Sequence, residues 1–352
     1  MNVQVDRTRL LDNLEKLLLA HAPSGTEAEM DHLVLDMLQS VDSKIWQDEA
    51  GGIVVHIEGQ SATAPIAAMA HKDEISMIVK RVEEDGRLRV RSIGGLWPWA
   101  IGEGPVEILG REALVPGVLS VGSKHVSEES PTFELKERKA MTWEAVWIET
   151  KLDAEELRRR GVRVGSKAVV ARSRKEPWTM GDFICGYNLD CRAGVAALIE
   201  AALQLQQTPP AQDIYLIASS EEEIGAHGAT YSLAQLPVAT AIALDVVPVA
   251  AEYQTRNCGA PILGSKDSRS VYDERINYHM EDLAAQLGFD TQTVVLTSYG
   301  SDATIAKAAG SIARATLIGY AGDNTHGYEI CAVDGIVNMT RLLLAYLQDP
   351  VA

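Results

Sequence analysis

The segment from Ala64 to Ala70 is almost entirely apolar and stops at the polar residues His71-Lys72-Asp73. A strand this apolar is typical of a sheet that is covered by helices on both faces. Beyond residue 190, further apolar strands alternate with segments of helical periodicity, which indicates a parallel arrangement of strands. We therefore predict an α/β fold, a three-layer α/β/α domain with a mostly parallel sheet.

The character of the sequence changes between residues 75 and 175, where short strands are separated by Gly and Pro. Alternating apolar residues on both sides of Glu84-Asp85-Gly86 predict a β-hairpin. Most of the tryptophans also lie in or beside this stretch. We interpret residues 75–175 as a small β-rich domain, inserted into a larger discontinuous domain of residues 1–74 and 176–352.

Composition and charge exclude several classes of protein. The 352 residues are 46% hydrophobic and 23% charged, as in ordinary soluble domains. A net charge of −17 disfavours nucleic acid and anionic membrane surfaces as partners, and no apolar run approaches the ~18 residues of a membrane span. The four cysteines form no Cys-x-x-Cys pair, and the chain does not open with a signal-peptide pattern. We therefore expect a cytoplasmic protein.

Polar side chains that can bind metals follow the predicted strands. They are His71 with Asp73, then Asp190, the pair Glu222-Glu223, Asp245, and His326. Ligands bind at the carboxyl ends of strands in such sheets, so these groups are expected to share one edge. Nitrogen and oxygen ligands without thiolates suit zinc, cobalt or manganese. Two His and three carboxylates are too many for one open zinc site, and they suit two metals.

The adjacent pair Glu222-Glu223 predicts two different roles, in which one carboxylate faces the metals and the other accepts a proton from water. Each pattern also has a simpler interpretation. A run of Glu residues is usually a solvated turn, and a lone His-x-Asp is more often a surface or capping feature. The residues alone leave both interpretations open.

Six motifs, taken in this order, resemble metallopeptidase family 42. They are His71-Lys72-Asp73-Glu74-Ile75, Asn188-Leu189-Asp190-Cys191-Arg192-Ala193-Gly194, Glu222-Glu223-Ile224-Gly225-Ala226-His227-Gly228-Ala229, Ala243-Leu244-Asp245-Val246, Ser301-Asp302-Ala303 and Thr325-His326. This family contains dinuclear, tetrahedral aminopeptidases of the glutamyl aminopeptidase type and was formerly also labelled endoglucanase. The similarity runs through nearly the whole chain.

The resemblance implies a zinc-peptidase-like catalytic domain that removes N-terminal residues from short peptides by attack of a water bridging two metals. His71 and Asp245 would bind one divalent ion, Glu223 and His326 the other, and Asp190 would bridge them. The ions would be zinc or cobalt, with manganese as a further candidate.

In the family, Glu222 would be the general base, and Asp73 would hold His71 in its ligand tautomer. The inserted domain would be a PDZ-like dimerisation domain. Dimers would assemble further into a tetrahedral particle of twelve subunits.

The chain departs from the family pattern at several positions. The family commonly has Asp at the position of Cys191 and frequently Arg at that of His227, and it often carries Arg-Tyr where this chain has Asp323-Asn324. Because that loop is next to a metal ligand, we hypothesise that Asp323 lines the specificity pocket and disfavours acidic N-terminal residues.

Two functions other than a peptidase are compatible with parts of the sequence. A glycoside hydrolase would use a carboxylate pair with tryptophans as sugar platforms, although it has no use for His71 and His326. A non-catalytic assembly protein of the same fold is the second alternative, but all the proposed ligand positions keep suitable chemistry.

Overall fold

The structure is a computed structural model that describes residues 3–129, 132–136 and 140–351. The helices are α1 (Arg7–Leu19), α2 (Ala28–Met37), α3 (Pro98–Ile101), α4 (Phe133–Lys136), α5 (Ala154–Arg159), α6 (Arg172–Lys175), α7 (Leu189–Leu205), α8 (His227–Gln235), α9 (Glu274–Leu287), α10 (Asp302–Ala308) and α11 (Val333–Gln348). In the described part of the chain, no helix combines the length and the apolar character needed to cross a bilayer.

The strands up to residue 149 are β1 (Lys44–Gln47), β2 (Ile53–Ile57), β3 (Ser61–His71), β4 (Ser76–Val82), β5 (Leu88–Ile93), β6 (Gly104–Leu109), β7 (Leu114–Ser120) and β8 (Trp147–Glu149). The later strands are β9 (Lys167–Val170), β10 (Trp178–Met180), β11 (Phe183–Gly186), β12 (Gln212–Ser219), β13 (Thr240–Pro248), β14 (Ile262–Lys266), β15 (Gln292–Val295), β16 (Arg314–Asp323) and β17 (Glu329–Ala332). They form two sheets, one large and one closed into a barrel.

The large sheet is mixed, with strand order β1-β2-β12-β3-β13-β16-β17-β11-β10 and with β14 and β15 attached beside β16. Only its centre, β12-β3-β13-β16, is parallel, together with the outlying pair β14-β15. The other neighbours are antiparallel. The predicted α/β class is confirmed, and the prediction of a mostly parallel sheet is wrong.

The physical reason lies in the short outer strands. Strands joined by a tight turn, such as β10 and β11 across Gly181-Asp182, can pair only antiparallel. These outer strands lack a long apolar run, because each is only three to five residues long. Sequence periodicity therefore predicts the buried parallel strands at the centre of the sheet, but not most of the short antiparallel strands at its edges.

Apolar residues pack on both faces of the large sheet. Along β3, Ile66 and Ala68 join one hydrophobic core, while Ala67 and Met69 join another. Alternate residues of a strand point to opposite faces, so the two cores lie on opposite sides of the sheet. Helices α1, α2, α7, α9 and α11 contribute to the first core, and α8 and α10 contribute to the second.

The second sheet is a closed barrel of order β4-β5-β8-β7-β6-β9, built from strands between Ser76 and Val170. The hairpin expected around residues 84–86 is present as the β4-β5 pair. A separate core fills the barrel, with Val79, Val90 and Ile148 among its buried residues.

A buried polar network joins the barrel to the end of β3. The Lys175 ammonium donates to Glu74 Oε1 at 2.7 Å and lies 3.0 Å from His21 Nδ1, and His21 Nε2 is 2.6 Å from Glu107 Oε2 on β6. Burial lowers the pKa of Lys175 to about 8, although the negative charge of Glu74 acts to raise it. The network holds the barrel beside the edge of the sheet at which β3 ends.

Candidate metal centre

The parallel centre of the sheet brings the predicted residues to one edge. His71 is the last residue of β3 and lies opposite Ser219, the last residue of β12. Glu222 and Glu223 follow β12 directly, and Asp245 lies within β13, the neighbour of β3 on its other side. The sequence predicts Asp245 at the end of its strand, and in the structure β13 continues to Pro248.

His71 faces three carboxylates. Its Nε2 atom lies 2.9 Å from Asp190 Oδ1, 3.9 Å from Asp245 Oδ1 and 4.0 Å from Glu222 Oε2. The His71 side chain is buried, with 2% of its surface exposed. One imidazole nitrogen and several carboxylate oxygens therefore converge on a small volume.

His326 approaches the same cluster from the loop after β16. Its Nε2 atom lies 3.5 Å from Asp190 Oδ2 and 3.7 Å from Glu223 Oε2. The two oxygens of Asp190 thus face two different histidines. This arrangement suits a carboxylate that bridges two cations.

The donor set fits divalent metal ions. His71, Asp190 and Glu223 each offer a ligand atom within 4.8 Å of the others, and so do His71, Cys191 and Asp245. His326 belongs to neither group and is more exposed, at 38% of its side chain. Nitrogen and oxygen donors of this kind match zinc, cobalt or manganese.

The electrostatics of the cluster also call for a cation. Burial, followed by repulsion from Asp190, raises the pKa of Asp245 to about 7. Burial is also the main cause that raises the pKa values of Glu222 and Glu223 well above their usual range. Burial alone would lower the pKa of His71, but its contacts with Asp190 and Asp73 raise that pKa well above its usual value. Bound dications would offset this repulsion among buried carboxylates.

Cys191 lies beside the cluster, but its thiol is not in the protonation state that binds a metal. Its Sγ atom donates to the Leu244 carbonyl at 3.0 Å, and burial raises the pKa of the thiol well above its usual value. A metal binds the thiolate and not the thiol. The Asp that the family pattern led us to expect here is thus replaced by a neutral thiol with its own partner.

Asp73 organises both sides of the cluster. Its Oδ1 atom lies 3.5 Å from His71 Nδ1, and its carboxylate accepts from the backbone N–H groups of Glu222 at 3.0 Å and Glu223 at 3.3 Å. Ser24 Oγ donates to it at 2.6 Å. Asp73 therefore positions one histidine and the Glu pair together, whereas the sequence suggested only the first contact.

Sequence reasoning gave no role to several other residues of the site. Glu329 Oε2 accepts from the Asp190 N–H at 3.0 Å, and Thr325 Oγ1 donates to Asp190 Oδ2 at 3.2 Å. Burial beside Asp245 raises the pKa of Tyr299 well above its usual value. Thr325 stands next to a motif histidine, but Glu329 and Tyr299 lie in short segments without any recognisable pattern.

A cavity of about 880 Å³ opens onto the cluster. Its walls come from the barrel segment, the sheet edge and the loops after β14, β15 and β16, and include Trp97, Trp99, Asp190, Glu222, Glu223, Asp245, Arg269, Tyr299, Asn324 and His326. A pocket of this size accommodates a small ligand or a short peptide end.

Asp323 is absent from the described residues that line this cavity, although its neighbour Asn324 is present. Its carboxylate instead accepts from the Asn257 amide at 2.8 Å. Asp323 is still paired within the sheet, opposite Ile330 of β17, so it belongs to a strand and not to the loop we had assumed. The geometry gives no support to Asp323 as a specificity residue.

Gly95, in the segment that follows the barrel strand β5, contacts a residue of the candidate metal centre. The Gly95 carbonyl lies 3.3 Å from His326 Nδ1, which leaves Nε2 facing Asp190 and Glu223. A Cβ atom at position 95 would come within 2.5 Å of His326 Nδ1. A side chain at this position would therefore displace the imidazole.

Gly95→Ala is accordingly expected to weaken metal binding by roughly 10- to 100-fold, the range observed when partners of metal ligands are lost. Metal affinity can be measured by competition with a chromophoric chelator. Gly186→Ala is the matched control, because a Cβ atom there would meet its nearest neighbour at an ordinary 3.8 Å. Equal affinities of the Gly95 variant and wild type would remove Gly95 from the account.

The chain is similar to known proteins both in sequence and in fold. The model of the M42 glutamyl aminopeptidase family matches residues 51–342. A lysyl aminopeptidase of Pyrococcus furiosus is 28% identical over 246 residues, which are 66% of this chain and 65% of that protein. A putative aminopeptidase of Bacillus subtilis, YhfE, is 25% identical over 97% of this chain and 98% of its own length.

Solved structures share the fold over nearly the whole chain. An aminopeptidase of the archaeon Desulfurococcus kamchatkensis has a TM-score of 0.88 and 25% identity, covering 97% of this chain and 95% of that one. A TET peptidase of Pyrococcus horikoshii, described as able to assemble into a tetrahedron or a large octahedral shell, has a TM-score of 0.85 and 20% identity. It covers 97% of this chain and 99% of its own, and its similarity bears on the fold alone.

Proposed function

The chain belongs to the M42 glutamyl aminopeptidase family, and from this membership and the geometry of the site we propose that it is a two-metal aminopeptidase acting on short peptides. The observation that carries the proposal is the position of Asp190, whose two carboxylate oxygens face His71 and His326 respectively. His71 and Asp245 would hold one divalent ion, and Glu223 and His326 the other.

The metal ions, zinc or cobalt with manganese as a further candidate, would supply Lewis acidity to the scissile carbonyl and lower the pKa of the attacking water to about 7. Glu222 is the residue we assign as general base. Its carboxylate lines the cavity and lies 4.0 Å from His71 Nε2, without belonging to either group of converging ligand atoms. It would accept the proton of the water and then donate it to the leaving amine.

Asp73 would support this chemistry by position. By accepting the backbone N–H groups of Glu222 and Glu223, it fixes the base relative to a ligand. By facing His71 Nδ1, it favours the tautomer whose Nε2 lone pair is free for a metal. Burial of His71 and Asp190 strengthens the charge interaction between them.

We further propose that the chain self-associates. Large apolar side chains are exposed on the barrel strand β7, at Leu114 and Val118, and on the edge strand β10, at Trp178 and Met180. An interface between chains would remove these apolar side chains from water. The barrel would serve as the dimerisation domain, and dimers would form a tetrahedral particle of twelve chains, as the fold shared with the shell-forming peptidase suggests. Light scattering is expected to give twelve times the 38.1 kDa chain mass, and a stable monomer would contradict this.

The cytoplasmic location remains a prediction. The four cysteines are unpaired, as they would be in a reducing compartment.

The proposed activity can be tested with matched peptides. A short peptide with a free N-terminus is expected to lose one residue at a time, as the proposed aminopeptidase activity requires. The same peptide with an acetylated N-terminus is expected to persist. Equal cleavage of both would exclude an aminopeptidase. Release of reducing sugar that survives chelation, with both peptides intact, would favour the glycoside hydrolase alternative.

A further inference from the structure

Two tryptophans that the proposed mechanism does not use line the 880 Å³ cavity. Trp97 and Trp99 follow the barrel strand β5, and they are 55% and 62% exposed. Transfer of apolar surface from water to an apolar contact is favourable, and aromatic side chains offer more of this surface than most others. Two exposed indoles on one cavity wall therefore favour a ligand with apolar surface of its own.

The rings of Trp97 and Trp99 have no ring partners among the described residues, where neither of them stacks on another aromatic ring or lies below a cation. Trp46 is a contrasting case, because its ring packs edge-on against Tyr215 with the two centroids 6.5 Å apart. The faces of the two cavity tryptophans are therefore free to contact a ligand.

The segment that carries the two tryptophans is fixed by its other residues. Leu96, Pro98 and Ile101 are buried, whereas the tryptophans between them are exposed. Leu96 and Ile101 belong to the core of the barrel, and Arg174 Nη2 donates to the Ile101 carbonyl at 2.6 Å. The proline ring fixes φ at the first residue of helix α3. An ordered wall of this kind lowers the entropic cost of binding a ligand.

The exposure of the lining residues indicates which part of the cavity the tryptophans occupy. The side chains of Glu222 and Glu223, at the metal centre, are only 12% and 5% exposed, whereas both tryptophans are more than half exposed. The metal centre therefore lies at the buried end of the cavity and the tryptophans at its open side. One segment joins the two parts, because Gly95 contacts His326 and lies two positions before Trp97.

The chemistry of the two parts differs in the same direction. The buried end is lined by carboxylates, which attract a positively charged amine and are unfavourable neighbours for an apolar side chain. The proposed aminopeptidase would hold the N-terminal residue there. The peptide chain beyond the cleaved bond would then lead toward the open side. Further apolar lining comes from outside the barrel segment, through Pro248, Tyr253 and Ile305.

Resting on the proposed aminopeptidase function, we propose that Trp97 and Trp99 form a subsite for an apolar or aromatic side chain of the second residue of the peptide. This residue lies directly after the cleaved bond and becomes the new N-terminus. An aromatic side chain would pack offset or edge-on against the indoles, and an aliphatic side chain would lose its contact with water there. The subsite concerns the released peptide and not the identity of the N-terminal residue.

The test uses peptide pairs that differ at one position. Leu-Phe-Gly and Leu-Gly-Gly differ in the second residue, and Phe-Gly-Gly and Ala-Gly-Gly differ in the first. We expect wild type to release leucine from Leu-Phe-Gly with a kcat/KM roughly 10- to 100-fold above that for Leu-Gly-Gly, as for burial of an aromatic side chain. Because the indoles would contact substrate and transition state alike, the difference is expected in KM with kcat little changed.

Trp97→Ala and Trp99→Ala are each expected to reduce the preference for Leu-Phe-Gly, and the double variant to abolish it. Trp99→Phe should keep part of it, because an aromatic face remains. Tyr278→Ala is the matched control, since Tyr278 is an aromatic residue with 57% exposure outside the described cavity wall, and it should keep the full preference. The proposal is overturned if wild type shows no preference at the second residue, or if the double variant keeps it. A double variant that loses discrimination only at the first residue would also overturn it.

A binding measurement separates the subsite from the proposed function. Calorimetry with metal-loaded Glu222→Gln compares the affinities for Leu-Phe-Gly and Leu-Gly-Gly without turnover. Tighter binding of Leu-Phe-Gly that disappears when both tryptophans are replaced would support the subsite even if wild type hydrolyses no peptide. Hydrolysis of both peptides without any difference in binding would support the function and reject the subsite. A change in particle mass of the double variant, measured by light scattering, would assign the tryptophans to a contact between chains and overturn the proposal.

Discussion

Glu222→Gln is expected to lower kcat by at least about 10²-fold, within the range that general bases contribute. The amide has nearly the same shape as the carboxylate, but it cannot accept the proton of the attacking water. Because the proposed ligands are His71, Asp190, Glu223, Asp245 and His326, without Glu222, the variant should still bind about two metals per chain. Turnover of an aminoacyl-anilide and metal content by elemental analysis check the two parts of this expectation.

Glu221→Gln is the matched control within the same Glu run. Glu221 is absent from the described residues that line the cavity, and its backbone N–H donates to Glu27 instead of Asp73. Its variant should turn over at nearly the wild-type rate. Loss of metal from Glu222→Gln would instead make Glu222 a ligand, and unchanged turnover would exclude it as the base.

Asp245→Asn is expected to be more stable than wild type without metal and less stable than wild type with metal. Without metal, the buried Asp245 carboxylate is repelled by Asp190, so replacing it with a neutral isostere should stabilise the fold. The contact from the Val246 N–H to Asp245 Oδ1, at 2.8 Å, can be kept by the asparagine oxygen. With metal, wild type should gain about 2.7 kcal/mol for each site at a free concentration 100 times its Kd. The variant has lost a ligand and should gain less.

The metal-free comparison has a defined dependence on pH. The pKa of Asp245 rises from 3.8 to about 7 on folding, so in this range the native state binds more protons than the unfolded state. Its contribution to stability is present below about pH 4 and is lost as the pH rises to 7. The advantage of Asp245→Asn over wild type should therefore grow between these pH values.

Chemical denaturation of chelator-treated protein at several pH values measures this difference. Asp323→Asn is the control, since Asp323 lies on the same sheet and outside the described cavity wall. A difference between Asp245→Asn and wild type that does not change with pH would contradict the electrostatic description of the site. Undiminished metal binding by the variant would remove Asp245 from the ligand set.

The parts of the fold that were predictable from sequence are those whose pattern is set by burial on two faces. The apolar run before His71 predicted a central strand, and β3 is central. The polar residues after such runs share one edge because parallel strands end there together. For this reason His71, Glu222 and Asp245 could be grouped from their positions along the chain alone.

The remainder depends on contacts that leave no periodic signal. A strand of four residues carries too little pattern to predict the pairing of β17 with β16 and β11. For the same reason, the contact of its first residue, Glu329, with Asp190 could not be predicted. Arg269 lies in a turn closed by local bonds to Asp267, but the bonds from Ser301 and Thr304 to Asp267 that place this turn beside the site are long-range, and no local pattern predicts them. Asp323 is the opposite case. Its position next to a motif predicted a contact with the substrate pocket, but the pairing of β16 with β17 leaves it outside the described cavity wall.

The central claim is that two divalent ions bound at Asp190 and its neighbours carry the hydrolysis of N-terminal peptide bonds. The most direct measurement titrates zinc or cobalt into chelator-treated protein and records aminoacyl-anilide turnover against metal bound per chain. We predict no turnover in the absence of metal and a maximum at about two ions per chain. Turnover that persists without metal, or that is complete with a single bound ion, would contradict the account.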